Sequence, residues 1–378
     1  TSVSGTNAVA ITGGTLLANG TFTNTGSNTV GTLLPGTGTL GGNGGSFSGT
    51  VTVNAGGTVS PGLLPNLVGT LSVYGIAFDG GTYAADLNGN TFDQIIVSNV
   101  VNIKTLGASG IFALNRTNTQ TAGSVYTFIS NTSPSPITNP PFLGLPEGTS
   151  TTVSGGQTAA YSYAGGLGAN DFVLVVAGAA SFDGDYFNGV TTVTANDFII
   201  REVGSNIEIE RDGVIIDARP TSLYGVASLT INGLTDNDTL LVDYAAAGGL
   251  FNVNIVFNGG ESLGDNDELT VADAPGNADT VLHTYLTTIP DFSGTIQIDD
   301  NGDATYERMI SYTGLEPVTD NLDAANRIFT FTGGAETVTL SDGVGVGMSR
   351  ILSTLGEDTT FTNPTTSLTI NLTNDADI

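Results

Sequence analysis

Apolar residues in this chain recur mainly at every second position, in short bursts. In the stretch 228–243, Leu229, Ile231, Leu240 and Val242 alternate with polar residues around an Asp236-Asn237-Asp238 turn. Period-two alternation is the mark of strands with one buried face. The same Ser-Leu-Thr-Ile-Asn opening returns at 367–371, followed by Asp375 and Asp377. Further strands are predicted at 50–53, 69–74 and 94–97. The segment 198–217 reads as strand, turn, strand, turn, strand, with hairpin-type turns at Gly204-Ser205-Asn206 and Asp212-Gly213. The predicted fold is therefore all-β, made of copied short strands joined by glycine-rich or acidic turns.

Spacing turns this list of strands into an architecture. Gly13-Gly14-Thr15, Gly56-Gly57-Thr58 and Gly80-Gly81-Thr82 punctuate the first third of the chain at intervals of 43 and 24 residues. A unit of roughly 21 to 24 residues lies in the range of stacked repeats, in which each unit buries its apolar face only against the next. Residues 130–146 interrupt the pattern with Pro134, Pro136, Pro140, Pro141 and Pro146. Proline donates nothing to a ladder, so this segment is predicted as a loop or edge excursion.

Composition changes the picture at one place. The chain has 53 glycines in 378 residues and only 12% charged residues, a turn-rich β composition. Residues 1–180 carry two basic and five acidic side chains, a balance of −3. Residues 181–378 carry six arginines against 31 acids, a balance of −25. We place a boundary there and divide the chain into 1–180, a glycine-rich β-helix; 181–324, an acidic β-rich unit; and 325–378, the start of a second copy of that unit. The copy rests on Ala195-Asn196, Gly204 and Asp212-Gly213, which recur 130 residues later as Ala325-Asn326, Gly334 and Asp342-Gly343. The second copy reaches only just past its Ser-Leu-Thr-Ile-Asn strand, so the chain is expected to be part of a longer repetitive polypeptide.

The net charge of −28 opposes binding to nucleic acid and to anionic membranes and favours divalent cations. No apolar run reaches the ~20 residues of a membrane helix, and no charged-then-apolar leader is present. There is no cysteine and no tryptophan, and Lys104 is the only lysine, so at most one lysine-dependent isopeptide staple can form. A large repetitive β protein does without disulfides.

The order of several motifs resembles a known family. V-T-V-N-A-G-G-T-V-S-P-G (51–62), G-T-L-S-V (69–73), F-D-Q-I-I-V (92–97), Y-T-F-I (126–129), G-L-P-E-G (144–148) and G-G-L-G-A-N-D-F-V-L-V-V (165–176) are similar to the autotransporter-associated β-strand repeat, over roughly residues 10–177. The resemblance implies a right-handed parallel β-helix on the surface of a Gram-negative-type bacterium and no enzymatic activity. The second half resembles the long repetitive surface proteins of planctomycete-like bacteria. The expected product is a structural, extracellular or cell-surface β-solenoid: a stalk, filament or adhesive surface that self-associates head to tail through its open ends. A glycan- or host-binding adhesin is the alternative, and a β-helix polysaccharide lyase or hydrolase a further one.

Candidate chemistry concentrates in the acidic turns. Asp236-Asn237-Asp238 and Asp265-Asn266-Asp267 lie 29 residues apart, consistent with neighbouring levels of a stack. Residues 258–271 resemble a degenerate haemolysin-type calcium repeat, with two extra residues before Gly264 and no second unit nine residues on. Calcium takes six to eight hard oxygens, which such turns supply, so Asp236, Asp238, Asp265 and Asp267 are the candidate calcium ligands. The competing reading is a solvated turn in which Asp and Asn brace the bend through their own backbone. Asp299-Asp300-Asn301-Gly302-Asp303 resembles part of an EF-hand loop but has Ile310 where the closing Glu belongs. Asp183 and Asp185 are the best paired carboxylates for sugar chemistry, yet pairs arise by chance in so acidic a chain. His283, the only histidine, reads as an ordinary strand residue. Asn19-Gly20-Thr21 and Asn131-Thr132-Ser133 match the glycan acceptor pattern, a weak signal in an Asn- and Thr-rich chain. Tyr161, Tyr163 and Tyr186 either pack the junction of the two halves or present a sugar- or partner-binding surface.

Overall fold

The computed structural model describes the chain except for residues 1–2, 6–7, 25, 32–36, 63–66, 106, 167, 185, 188–189, 192–194, 225–227, 247–248, 261–265, 273–277, 287–291, 333 and 373–378. The described residues are all-β: strands and turns, with one short 3-10 turn at Thr221–Leu223 and no α-helix. They form two compact units. The first holds Thr1–Gly178 with Ile215–Leu223, and the second holds Ala179–Val214 with Tyr224–Ile378.

In the first unit the chain alternates between two sheets. One sheet takes Gly14–Leu17, Gly38–Gly42, Thr58–Pro61, Thr82–Asn88 and Ile111–Thr117, all pairing in parallel. The other takes Thr21–Asn24, Gly45–Asn54, Thr70–Asp79, Gln94–Asn102 and Val125–Asn131, also in parallel. The predicted strands at 50–53, 69–74 and 94–97 fall within this second series. Register explains the glycine-threonine punctuation. Thr15, Thr39, Thr58 and Thr82 stand opposite one another on successive strands. The 43-residue interval thus hides a level whose mark is Gly38-Thr39 rather than a full Gly-Gly-Thr.

The glycines before Thr39, Thr58 and Thr82 are contacts, whereas Gly14, before Thr15, meets nothing within 4 Å and has φ +70°. A Cβ on Gly57 would lie 2.2 Å from the Val30 carbonyl oxygen, and one on Gly81 would lie 2.5 Å from that of Val53. The threonine strands from Gly38 onward therefore begin where the chain passes hard against the end of an earlier strand, at Ile11, Val30 and Val53. Inside, identical registers stack aliphatic side chains: Val51, Ile76 and Val101 repeat at 25-residue intervals and are fully buried. Burying such side chains contributes about 1.5–3 kcal/mol each.

The parallel series ends in an antiparallel cap, Val125–Asn131 with Asp171–Val176, Thr158–Gly165 and Ser150–Thr152. The loop from 132 to 149 precedes it, where the prolines predict one. Beneath the cap, Phe112, Phe128, Phe142, Tyr161, Tyr163 and Phe172 form one aromatic cluster. Phe172 lies 4.8 Å from Tyr163 and 5.9 Å from Tyr161, centroid to centroid.

The second unit also alternates between two sheets. Ala180–Asp183, Ser228–Leu234, Asn254–Gly260 and Arg308–Thr313 run parallel in one. Asp197–Val203, Thr239–Asp243, Glu268–Ala272, Val318–Asp320 and Thr359–Thr362 run parallel in the other. Two further strands, Ser293–Asp299 and Ala278–Leu286, enter the first sheet antiparallel to their predecessors before Ala324–Phe331 and Ser367–Asn371 resume it. The duplicated sequence does not occupy duplicated places. Asn196 precedes a strand of one sheet, whereas Asn326 lies within a strand of the other. A period-two strand fits either sheet, so local sequence copies without fixing which sheet receives it.

Candidate functional site

The acidic turns of the second unit form a column, because each immediately precedes a strand of the same parallel sheet. Asp238 Oδ1 accepts the Asn196 amide at 2.7 Å, and Asp267 Oδ1 accepts the Asp238 amide at 2.7 Å. One level on, Glu316 donates its own amide to the Asp267 carbonyl at 2.8 Å. Asn237 and Asn266 continue the stack on the outside, the Asn266 amide donating to Asn237 Oδ1 at 3.0 Å. Asp238 and Asp267 are completely buried. They lie against Gly233 and Gly259, where a Cβ would come within 2.6 Å of each carboxylate. Asp236 is half-buried with a left-handed backbone, φ 75°. Asp265 lies outside the described residues. Of the four predicted calcium ligands, two, Asp238 and Asp267, therefore use an oxygen to brace the level before.

A different loop brings acids together. Asp299, Asp303 and Glu307 place carboxylate oxygens within 4.8 Å of one another, the one such cluster among the described residues. Asp299 is buried and accepts the amides of Gly302 at 2.8 Å, Ala304 at 2.9 Å and Asn301 at 3.1 Å. Burial works against its charge, but these amides outweigh it and hold the carboxyl below its ordinary range. The loop joins two antiparallel strands rather than two helices. Sequence reading set it aside for want of a Glu at the twelfth position. The signal lay in the alternation instead: Asp299, Asn301, Asp303, Thr305 and Glu307 put an oxygen at every second residue.

His283 is not an ordinary strand residue. In the aliphatic column Ile200, Val242, Val271, the next level substitutes Asp320. This buried carboxylate accepts from His283 Nε2 at 2.7 Å and pairs with the guanidinium of Arg327, all three side chains being fully buried. Arg327 also donates to the carbonyls of Thr362, at 2.8 Å, and Leu322. Burial alone would raise the Asp320 carboxyl, but the Arg327 charge and the His283 hydrogen bond pull it well below the carboxylate range. Burial drives the His283 ring towards its neutral form against the pull of Asp320. The ring stacks on Phe329 at 4.8 Å. Nothing in the strand pattern around V-L-H-T-Y-L marks this; the clue was Asp320 at a position its register reserves for an aliphatic.

The first unit offers a cavity of about 740 Å³ on the outer face of its threonine sheet. Its floor is made of small residues in register, Gly41, Ser60, Ala84 and Ala113, with Leu17 at one end and Asp86 and Asn115 along one side. Asn115 donates to the Asp86 carboxylate at 2.7 Å. Behind it, buried Asp93 accepts the amides of Gly69 at 2.8 Å and Asp86 at 3.0 Å. Burial raises its carboxyl to about 7 despite those bonds.

The remaining sequence candidates are structural or lie apart. Tyr161 and Tyr163 are buried; the Tyr163 hydroxyl donates to the Leu145 carbonyl at 2.9 Å and accepts the Phe142 amide at 2.8 Å. They pack the cap and present no surface. The side chain of Tyr186, like Asp185, lies outside the described residues. Asp183 is exposed and accepts from Asn232 at 2.7 Å. Asn131 is buried with its amide group bonded to the Ser135 carbonyl at 2.7 Å. No helix of the described residues is long and apolar enough to cross a membrane.

No protein family model matches this chain, and no curated protein or solved structure is significantly similar to it.

Proposed function

We propose that this chain is a non-enzymatic structural protein of the bacterial cell surface or extracellular space. Each unit works as a β-solenoid, the first as a right-handed parallel β-helix, and together they serve as a stalk, filament or adhesive surface. The observation that carries this reading is the run of parallel, in-register strands in both units, from Thr21–Asn24 to Val125–Asn131 in the first and from Asp197–Val203 to Thr359–Thr362 in the second. Side chains of one kind stack level upon level, so the ordered backbone itself is the product. Among the described residues Ser367–Asn371 is an edge strand, open to a second copy of the chain or to the continuation of a longer repetitive one. It pairs with Asn326–Thr330 on one side, and its side chains are mostly exposed. Its sequence twin Ser228–Asn232 is sandwiched between two strands and alternates between buried and half-buried. An open strand edge is a template for another chain, and head-to-tail pairing uses it without closing a ring.

Electron microscopy of the purified chain over a range of concentrations tests this. Uniform unbranched filaments that shorten or vanish in Leu368→Lys, which places a charge on that edge, support the reading. A monodisperse monomer at every concentration counts against it. A second reading, a glycan-binding adhesin, is favoured by the small-residue floor beneath the 740 Å³ cavity, on which a sugar ring can lie flat. A glycan array separates the two. Calcium enters as a brace of the acidic unit, and its support is the Asp299, Asp303, Glu307 loop.

A further inference from the structure

Two levels of the stack leave interior positions uncovered. In the second unit, Ser367–Asn371 ends one sheet and Val338–Asp342 the other, each paired on one side only among the described residues. Directly opposed residues on neighbouring strands face the same side of a sheet. Leu368 stands opposite Arg327, Ile370 opposite Phe329 and Leu340 opposite Ile351, and these three partners are fully buried. Leu368, Ile370 and Leu340 therefore continue interior columns, yet Leu368 is 37% and Leu340 47% exposed. Val338 and Ile370 border the core of Phe329, Phe331, Ile351 and Phe361 without being enclosed by it. The tip of the hairpin after Val338–Asp342 adds Val344 and Val346, both almost wholly exposed. We call this level the tail. In the first unit, Gly14–Leu17 pairs only with Gly38–Gly42. Leu16 continues the column of buried Leu40 but is itself half-buried, and Val9 is likewise half-buried against the core. We call this level the head.

We infer that head and tail are the two halves of one junction, the tail of one copy of the chain stacking on the head of a second copy. The inference rests on the self-association proposed above and names its two surfaces. Charge carries it. Exposed strand edges are commonly guarded by charged side chains, and these are not. Residues 1–78 contain no charged residue, residues 359–374 contain none, and Asp342 is the one charge on Val338–Asp342. In a chain of net charge −28, such depletion is the mark of a surface that is covered by protein. Charge also selects the partner. Tail on tail brings together two halves of net charge −25, whereas the head belongs to a half of net charge −3, and juxtaposed like charges oppose association. The contact encloses Leu368, Leu340 and Leu16 and extends the aliphatic columns across the boundary. Because the two surfaces differ, each added copy leaves one head and one tail free, and growth stays open-ended.

Two blocked variants of the full chain test the junction. Leu17→Glu charges the head and Leu368→Glu the tail, both at positions more than a third exposed, and circular dichroism checks their folds. Should either unfold, Thr15→Glu or Thr369→Glu, at exposed positions of the same strands, takes its place. Light scattering after size exclusion reads the mass. At a concentration where the parent chain assembles, each variant alone should run as a single chain. An equimolar mixture should give a two-chain species and nothing longer, because one intact head then meets one intact tail. Assembly of either variant to the parental extent, a two-chain species formed by the head variant alone, or a mixture that stays single-chain overturns the junction while leaving self-association standing. A parent chain that never assembles overturns both.

Discussion

Asp267 Oδ1 takes the amide proton of Asp238 across 2.7 Å, and Asp238 does the same for Asn196 one level back. The acidic residue just before each of these two strands, Thr239–Asp243 and Glu268–Ala272, thus closes the hydrogen bonding of the level before it. The pair also explains why the acids are buried rather than spread over the turn surface.

Asp267→Ala should therefore cost about 1–3 kcal/mol, because the Asp238 amide is left buried without an acceptor. Asp267→Asn keeps an oxygen in place and should cost less. Urea unfolding of the three chains side by side gives the order; equal loss in both variants would show that the charge rather than the acceptor matters.

The glycine-threonine punctuation makes a paired prediction. Gly81→Ala puts a methyl 2.5 Å from the Val53 carbonyl and should lose about 1–3 kcal/mol or more to overpacking. Gly13→Ala meets nothing within 4 Å and should stay within about 0.5 kcal/mol of the parent. Thermal melts of both variants check the contrast.

The buried Arg327 and Asp320 pair predicts a large asymmetric effect. Arg327→Leu leaves Asp320 charged and without its guanidinium, and should cost about 3–5 kcal/mol. The double variant Arg327→Leu, Asp320→Val restores the aliphatic column of Ile200, Val242 and Val271 and should recover much of that loss. Denaturant titration of single and double variants reads the coupling directly.

Acidity should act in opposite senses on the buried carboxyls of the first unit and on the His283–Asp320 pair of the second. In the first, burial raises Asp93 to about 7 and Asp171 to about 6. A carboxyl raised on folding contributes stability that is complete below its unfolded value near 3.8 and is lost as pH climbs through the folded value. Each contributes a slope of up to about 1.4 kcal/mol per pH unit over that window. In the second unit, neutral His283 and ionised Asp320 are favoured by the fold, so their contributions fall as pH drops below about 6.5 and again below about 3.8, while Glu357, raised to about 8, contributes in the opposite sense. Unfolding of the parent chain and of Asp93→Asn from pH 4 to 8 tests this; Asp93→Asn should flatten the rise in stability of the first unit towards acid.

The strand alternation made the all-β fold readable. Strands such as Thr70–Asp79 and Asn206–Arg211 stand where period two and turn residues place them. What stayed hidden was relational. Gly38-Thr39 carries no doubled glycine, so the second level was invisible to a motif count. Asp320 departs from the aliphatic pattern only once its register against Val271 is known. The Asp299 loop lacks the closing Glu of a helical template, and its acids alternate instead along a turn between two antiparallel strands. Glu316 and Glu357 are 41 residues apart in sequence and share a column only because the strands that follow them, Val318–Asp320 and Thr359–Thr362, pair. Sequence shows which residues form strands; which strand lies on which depends on long-range contacts that period two leaves open.

Stacked in-register levels underlie every inference here, and a chain without native cysteine allows a direct test. Neighbouring parallel strands hold opposed α-carbons about 4.8 Å apart, within the span a disulfide bridges. Thr39→Cys with Thr58→Cys joins two residues that stand opposite each other on adjacent strands, and should oxidise to an internal crosslink in the folded chain. Thr39→Cys with Val59→Cys points its two thiols to opposite faces of the sheet and should not. Equal crosslinking of the two pairs, or crosslinking of the second alone, would contradict the stacked register.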